Sequence, residues 1–312
     1  MSLALLLLLQ TAPALTPGNH ALSLNFGNRT RRYIAHIPRK QDNRPLPVVL
    51  SFHGGGGNAE GQQDYVRMDS LADKAGFIVV YPEGTGRLSR RLHTWNAGSC
   101  CGYAHDRHVD DVGFVRALLD DLAKRTAVDA HRVYATGLSN GGMMSYRLAA
   151  ELSDRIAAIA SVAGGMVAES IRSSRPVPVL HIHSKDDPRA LYGGGLGPPF
   201  PYTNVRVLQP NMDSVIARWV RFDRCPAAPK VGDTIHGRPG TLGTGHTATP
   251  YRYGPCADGT EYVIWKLTGA GHTWPGAPPQ SWQEYVGPAT DVIDANEVIW
   301  QFFQRFRLPD KP

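Results

Sequence analysis

An α/β fold with a mainly parallel sheet flanked by helices in a single domain is what this sequence predicts, on three observations. Short strand-like apolar runs alternate with segments of helical periodicity through most of the chain, the pattern of a sheet whose strands are joined by crossover helices. One run, LPVVLSF at 46–52, is continuously apolar rather than alternating, as expected of a strand buried on both faces. A chain of 312 residues that is 42% hydrophobic and 19% charged also carries enough apolar material for one large core.

Taken in order, ALSLNF (21–26) and RRYIAHIP (31–38) read as an opening antiparallel pair. The strand at 46–52 leads through helical spacing over 65–75 to the strand at 77–82. DDVGFVRALLDDLAKR (110–125) opens on carboxylates suited to capping a helix and repeats its apolar residues at helical spacing. RVYATG (132–137) is strand-like, and a helix is expected over 141–152. The alternation continues with IAAIASVAG (156–164), VPVLHIH (177–183), a helix near 212–221, a strand at 261–267 and a closing helix over 292–306. GGGLGPPFP (193–201) is a loop by composition. The Gly-, Pro- and Thr-rich chain at 225–256 reads as an insertion within a catalytic domain spanning 20–308.

Residues 2–9, SLALLLLL, are apolar but too few to span a bilayer, and Ala12-Pro13-Ala14 supplies a small-x-small cleavage pattern. Residues 1–14 are therefore expected to be a signal peptide, although no Lys or Arg precedes the apolar run. The mature chain is expected to be secreted, extracellular or periplasmic, where cysteines tend to pair. The net charge of +6 comes from scattered arginines rather than a basic tract, so a solvated surface is expected and no nucleic-acid partner. No membrane or protein partner is indicated.

The chemistry gathers around Gly137-Leu138-Ser139-Asn140-Gly141, a G-x-S-x-G match where an apolar run stops and a helical pattern starts. Glycines at those positions allow a tight strand-to-helix turn that exposes the serine hydroxyl. A serine needs a base to take its proton and a carboxylate to orient that base. On this fold the expected order is Ser, acid, His, each on a loop after a strand. Asp187 follows the strand ending at His183, with Asp186 beside it as the alternative acid, and His272 in GAGHTWPG follows the strand near Leu267. His236 and His246 fall in the 225–256 segment and are expected at the surface. The oxyanion of a tetrahedral intermediate needs backbone N–H donors. Asn140, next to the serine, is one candidate; Gly55 in His53-Gly54-Gly55-Gly56-Gly57 is the other, with Gly56 second. His53 itself is expected to tie down its loop.

In this order, SFHGGGGN, YPEG, WNAGSCCG, VDDVGFV, GLSNGGMMSYRLA and GAGHTWPG resemble the secreted polyhydroxybutyrate depolymerase and feruloyl esterase family of α/β-hydrolases. The resemblance implies the α/β-hydrolase fold and a serine carboxylesterase working through an acyl-enzyme. Its members cleave feruloyl or acetyl esters of plant polysaccharides, or short polyhydroxyalkanoate esters. By position it implies Ser139 as nucleophile, His272 as base and Asp187 as acid in the family's HGxxD, although HSKDD here lacks the glycine. No metal or cofactor is expected, since His272 activates the hydroxyl. Trp95 and Trp274 are candidate substrate-binding walls for a phenolic acyl group. A prolyl-oligopeptidase-like peptidase shares the triad, and a noncatalytic binding module of the same fold is the reading from another class.

Four cysteines allow three pairings. A Cys225–Cys256 bridge would close the 225–256 segment and leave Cys100 and Cys101 together. These two are expected either as a vicinal disulfide stiffening WNAGSCCG beside the cleft, where it would position Trp95 and Asn96, or as two free thiols.

Overall fold

The computed structural model describes residues 15–39, 44–88, 91–200 and 204–310; the expected signal peptide lies outside them. The strands are β1 (Gly18–Phe26), β2 (Arg29–Ile37), β3 (Leu46–Phe52), β4 (Ile78–Pro82), β5 (Val128–Leu138), β6 (Ala158–Val162), β7 (Val179–Ser184), β8 (Gly195–Leu196), β9 (Leu208–Gln209), β10 (Lys230–Val231), β11 (Ile235–His236), β12 (Thr247–Tyr253) and β13 (Tyr262–Thr268). The helices are α1 (Ala59–Val66), α2 (Asp69–Ala75), α3 (Gly102–Asp106), α4 (Asp111–Ala123), α5 (Asn140–Glu151), α6 (Met212–Phe222), α7 (Gln283–Val286) and α8 (Ala295–Phe303).

One sheet runs in the order β1-β2-β4-β3-β5-β6-β7-β13-β12-β10, with β11 also on β12. The six strands from β4 to β13 are parallel, while β1, β2 and β12 join antiparallel. Every residue of β3, β4, β6 and β7 is buried, which is why these runs are nearly continuously apolar. Alternate residues serve opposite faces. Val48, Leu50 and Phe52 pack with Phe114, Leu118, Met144 and Trp219 of α4, α5 and α6, whereas Val49 packs in the layer of Ala72, Phe302 and Phe303 from α2 and α8. No helix of the described residues is long and apolar enough to cross a membrane.

The structure differs from expectation in two places. The helical pattern at 65–75 is two helices, because Arg67 takes a left-handed conformation with φ 53° and its N–H returns to the Gln63 carbonyl. Asp69 pins the restart, accepting from Gln63 Nε2 at 2.7 Å and Tyr81 Oη at 2.6 Å. The 225–256 segment is not merely inserted: β12 pairs with β13 over seven residues and extends the main sheet. Its Thr and Tyr residues fit a pleated, half-buried surface, but the surrounding Gly and Pro obscured the strand. The Cys225–Cys256 disulfide closes it across a separation of 31 residues, worth about 3 to 4 kcal/mol in the chain-entropy picture.

Asp223, beside that bridge at the end of α6, is fully buried. Its Oδ1 accepts from Val177 N–H at 3.2 Å, but Oδ2 has no hydrogen-bond partner. Burial pushes its pKa up to about 7. Since the fold favours the protonated acid, stability from this group is complete below about pH 4 and is lost as pH rises through about 7. Asp223→Asn should therefore melt higher than the parent at pH 8, by up to roughly 4 kcal/mol in stability, and match it near pH 4. Melting curves across that range check this; a constant difference between the two proteins would contradict it.

Candidate active site

Ser139, Asp187 and His272 each follow a parallel strand at the carboxyl edge of the sheet. Ser139 follows β5 directly and starts α5, with φ 58° and ψ −120°. That is a strained region for a residue with a Cβ, and it is held from both sides. Ser139 N–H donates to the Val162 carbonyl at 2.8 Å, and its own carbonyl accepts from Met143 N–H at 2.9 Å. The turn is tight because β3 lies against it: a Cβ at Gly137 would sit 2.6 Å from the Phe52 carbonyl oxygen, and one at Gly141 would collide with the same atom.

Asp187 follows β7 and His272 follows β13. Their side chains are joined by a 2.7 Å hydrogen bond between His272 Nδ1 and Asp187 Oδ2. The other carboxylate oxygen accepts from Arg189 N–H at 2.7 Å and Ala190 N–H at 2.8 Å. Burial would raise this carboxyl's pKa, but the His272 and His183 rings outweigh it and hold the group well below the usual carboxylate range. Asp186 is exposed and turned elsewhere, accepting from Gly269 N–H at 2.7 Å. It steadies the approach to the His272 loop rather than the ring.

Behind Asp187 runs a buried polar chain that sequence reading missed. Tyr262 and Tyr146 hydroxyls lie 2.7 Å apart, Tyr146 Oη is 3.1 Å from His181 Nδ1, His181 Nε2 is 3.0 Å from His183 Nδ1, and His183 Nε2 is 2.7 Å from the Ala190 carbonyl. A carbonyl only accepts, so for neutral rings every proton is assigned: His183 donates from Nε2, His181 donates to His183, and the tyrosines donate towards His181. Burial, then His183, keep the His181 pKa well below its ordinary value. His183 Nε2 also lies 3.5 Å from Asp187 Oδ2, so the chain ends beside that carboxylate. The alternating His-x-His of β7 was its only trace in the sequence.

The glycine run after β3 supplies the second set of polar groups. Gly56 N–H donates to the His93 carbonyl at 2.8 Å and Gly57 N–H to the Gly54 carbonyl at 3.0 Å. Of the three amides at 55–57, that leaves Gly55, and a Cβ built there would lie 3.7 Å from Asn140 Cβ. As the first residue of α5, Asn140 has no intrahelical acceptor for its N–H. His53 ties the loop: Gly84 N–H donates to its Nε2 at 3.0 Å, so its proton is on Nδ1, which bonds the Gly54 carbonyl at 2.8 Å.

Residues 32–223 match the family described as esterase PHB depolymerase. The chain belongs to that family. It is 33% identical over 255 residues to a Nocardia uniformis subsp. tsuyamanensis protein provisionally named the esterase NocK, covering 80% of this chain and 72% of the relative. It is 28% identical over 244 residues to the bifunctional acetylxylan esterase/xylanase XynS20E of Neocallimastix patriciarum, covering 78% of this chain but only 31% of that protein. Feruloyl esterase D of Neurospora crassa is 25% identical over 307 residues, 94% of this chain and 88% of the relative. Among solved structures, an acetyl xylan esterase from Aspergillus awamori superposes with a TM-score of 0.55 at 17% identity, covering 82% of this chain and 94% of that one. The fold is that of the α/β-hydrolases, and the protein is a carboxylic ester hydrolase.

In this esterase the two tryptophans are not the expected aromatic walls. Trp95 is 0% and Trp274 1% exposed. Trp95 packs edge-on to Phe52 and donates from Nε1 to the His53 carbonyl at 3.0 Å. The Asn140 side chain latches it from the elbow, accepting from Trp95 N–H at 2.7 Å and donating to its carbonyl at 3.0 Å. Trp274 Nε1 donates to Asn296 Oδ1 at 3.1 Å. Both indoles join loops to the core. Cys100 and Cys101 are bonded to each other and pack on Ala97, Met143 and Val167, so the bridge rests on α5 one turn past Ser139.

Trp274→Phe should lower stability by about 1 to 2 kcal/mol, from the lost hydrogen bond and the half-buried Asn296 oxygen left without its donor, with KM for a phenolic ester unchanged. Denaturant melts and steady-state kinetics check this; a large KM rise at unchanged stability would restore the aromatic-wall reading.

Proposed function

We propose that this esterase hydrolyses its substrates through an acyl-enzyme on Ser139, with His272 as general base and Asp187 as the carboxylate that orients it. The observation that carries the reading is the 2.7 Å Asp187–His272 hydrogen bond, made on neighbouring loops of the edge where the serine turn stands. With its Nδ1 proton held by Asp187, His272 keeps the Nε2 lone pair free to accept the Ser139 proton. Ser139 Oγ then attacks the ester carbonyl, and the oxyanion is met by the N–H groups of Gly55 and Asn140. His272 returns the proton to the departing alcohol oxygen, and a water repeats the sequence to release the acid. The hydroxyl is activated by side chains alone, so the reaction calls for no metal or cofactor.

Feruloyl and acetyl esters of plant polysaccharides are the favoured substrates, in keeping with the names of the fungal relatives, and short polyhydroxyalkanoate esters are the neighbouring class. Secretion belongs to the same reading, since two disulfides are cross-links that an oxidising compartment maintains.

Ser139→Ala should lower kcat on a short 4-nitrophenyl ester by on the order of 10⁴-fold or more, and Asp187→Asn by about 10⁴-fold, while Asp186→Asn stays close to the parent. Full activity in Ser139→Ala would refute the mechanism. Turnover of methyl ferulate, acetylated xylan, hydroxybutyrate oligomers and long-chain acyl esters reads the substrate class: the first two should dominate, and a strong preference for long acyl chains would contradict it.

A further inference from the structure

Where the Gly55 N–H points depends on the loop after β4. Gly56 N–H donates to the His93 carbonyl at 2.8 Å, and His93 N–H donates back to the Gly57 carbonyl at 3.3 Å. Beside this pair, Thr85 and Thr94 exchange backbone hydrogen bonds of 3.1 and 2.9 Å. The glycine run therefore leans on the His93 backbone, and the position of that backbone is set by what holds its side chain.

The His93 side chain is 5% exposed, and both ring nitrogens face acceptors. Nε2 is 2.8 Å from the Leu88 carbonyl oxygen, and Nδ1 is 2.8 Å from Glu83 Oε1, an ion pair rather than a linear hydrogen bond. A carbonyl only accepts, so Nε2 carries a proton, and the Glu83 carboxylate beside Nδ1 favours a second proton there. Burial opposes that charge, but Glu83 and the Leu88 carbonyl overcome it and raise the His93 pKa. Glu83 is held below the ordinary carboxylate range, burial notwithstanding, by His93 and the Ala59 N–H.

Glu83 reaches the other side of the glycine run as well. Its Oε2 accepts from Ala59 N–H, the first residue of α1, at 2.7 Å. One carboxylate thus joins the start of the helix after the glycines to the histidine that receives them. The other groups facing His93 are compensated. His53 lies 6.5 Å away between ring centroids, and burial lowers its pKa to about 4, so it adds no charge. Arg31 repels the ring, but its guanidinium is paired with Asp111 at 2.8 Å and donates to the Glu83 carbonyl at 3.1 Å.

We infer that the His93–Glu83 ion pair is a positioning device for the oxyanion donor, fixing the Gly55 N–H through the two backbone hydrogen bonds between His93 and the glycine run. The inference rests on the proposed role of Gly55. When His93 loses its charge, the attraction between its ring and Glu83 is lost and the loop loosens. The cost falls on kcat rather than KM, because the oxyanion exists only after the substrate is bound.

The test is kcat and KM on a short 4-nitrophenyl ester over pH 6 to 9 for the parent, His93→Gln and Glu83→Gln, with melting temperatures and the affinity of an alkyl boronic acid as a mimic of the tetrahedral intermediate. In the parent, kcat should fall on the alkaline side together with the titration of His93 followed by imidazole ¹⁵N NMR, which needs no variant. His93→Gln and Glu83→Gln should lower kcat by about 10- to 100-fold, weaken the boronic acid in proportion, and leave KM within about twofold. His93→Gln should also lack the alkaline fall. A parent kcat that does not follow the His93 titration, or folded variants with parental kcat and boronic acid affinity, would overturn the inference. If Ser139→Ala abolishes activity while these variants behave as the parent, only this inference fails; if Ser139→Ala is active, the underlying mechanism fails first.

Discussion

The close approach of the β3 backbone to the turn after β5 is the constraint on which the catalytic edge depends. No side chain fits at Gly137 or Gly141 because the Phe52 carbonyl oxygen occupies that space. The approach forces Ser139 into its strained conformation and brings the end of β3, with the glycine run that follows it, beside the first amide of α5. The proposed nucleophile and oxyanion donors are therefore placed by one contact between neighbouring parallel strands. The strain at Ser139 persists because its amide and carbonyl are both held in hydrogen bonds.

Around that contact the loops are fixed by buried polar groups, each with a definite direction of donation. Asn140 spends its side chain on the Trp95 backbone, His53 ties Gly84 to Gly54, and the His181–His183 chain closes behind Asp187. Unpaired polar groups in such a setting are costly, so a satisfied network admits few alternative arrangements. The paired cysteines belong to this supporting layer too, packed on Met143 of α5 rather than presented as a reactive centre.

The order of strands and helices was legible because parallel strands buried on both faces write long apolar runs and helices write their period. The serine turn and the hydrogen-bonded Asp187 and His272, the proposed acid and base, stood out because each follows such a run in the order the fold requires. The break at Arg67 was hidden because a left-handed arginine has no sequence signature, and β12 was hidden by the Gly- and Pro-rich loops around it. Trp95 and Trp274 looked available for substrate by position alone. Their burial is decided by His53 and Asn296, 42 and 22 residues away along the chain. Glu83 and His93 were equally silent: a Glu after a strand and a His in a loop gain meaning only when folding brings them within 2.8 Å.

The central claim, that ester cleavage passes through a covalent intermediate on Ser139, is tested most directly by trapping it. The enzyme would be treated with a 4-nitrophenyl alkylphosphonate, digested, and mapped by mass spectrometry. One stoichiometric adduct is expected on the peptide containing Ser139, formed alongside loss of activity. Inactivation with the adduct on another residue, or an active enzyme fully labelled at Ser139, would contradict it.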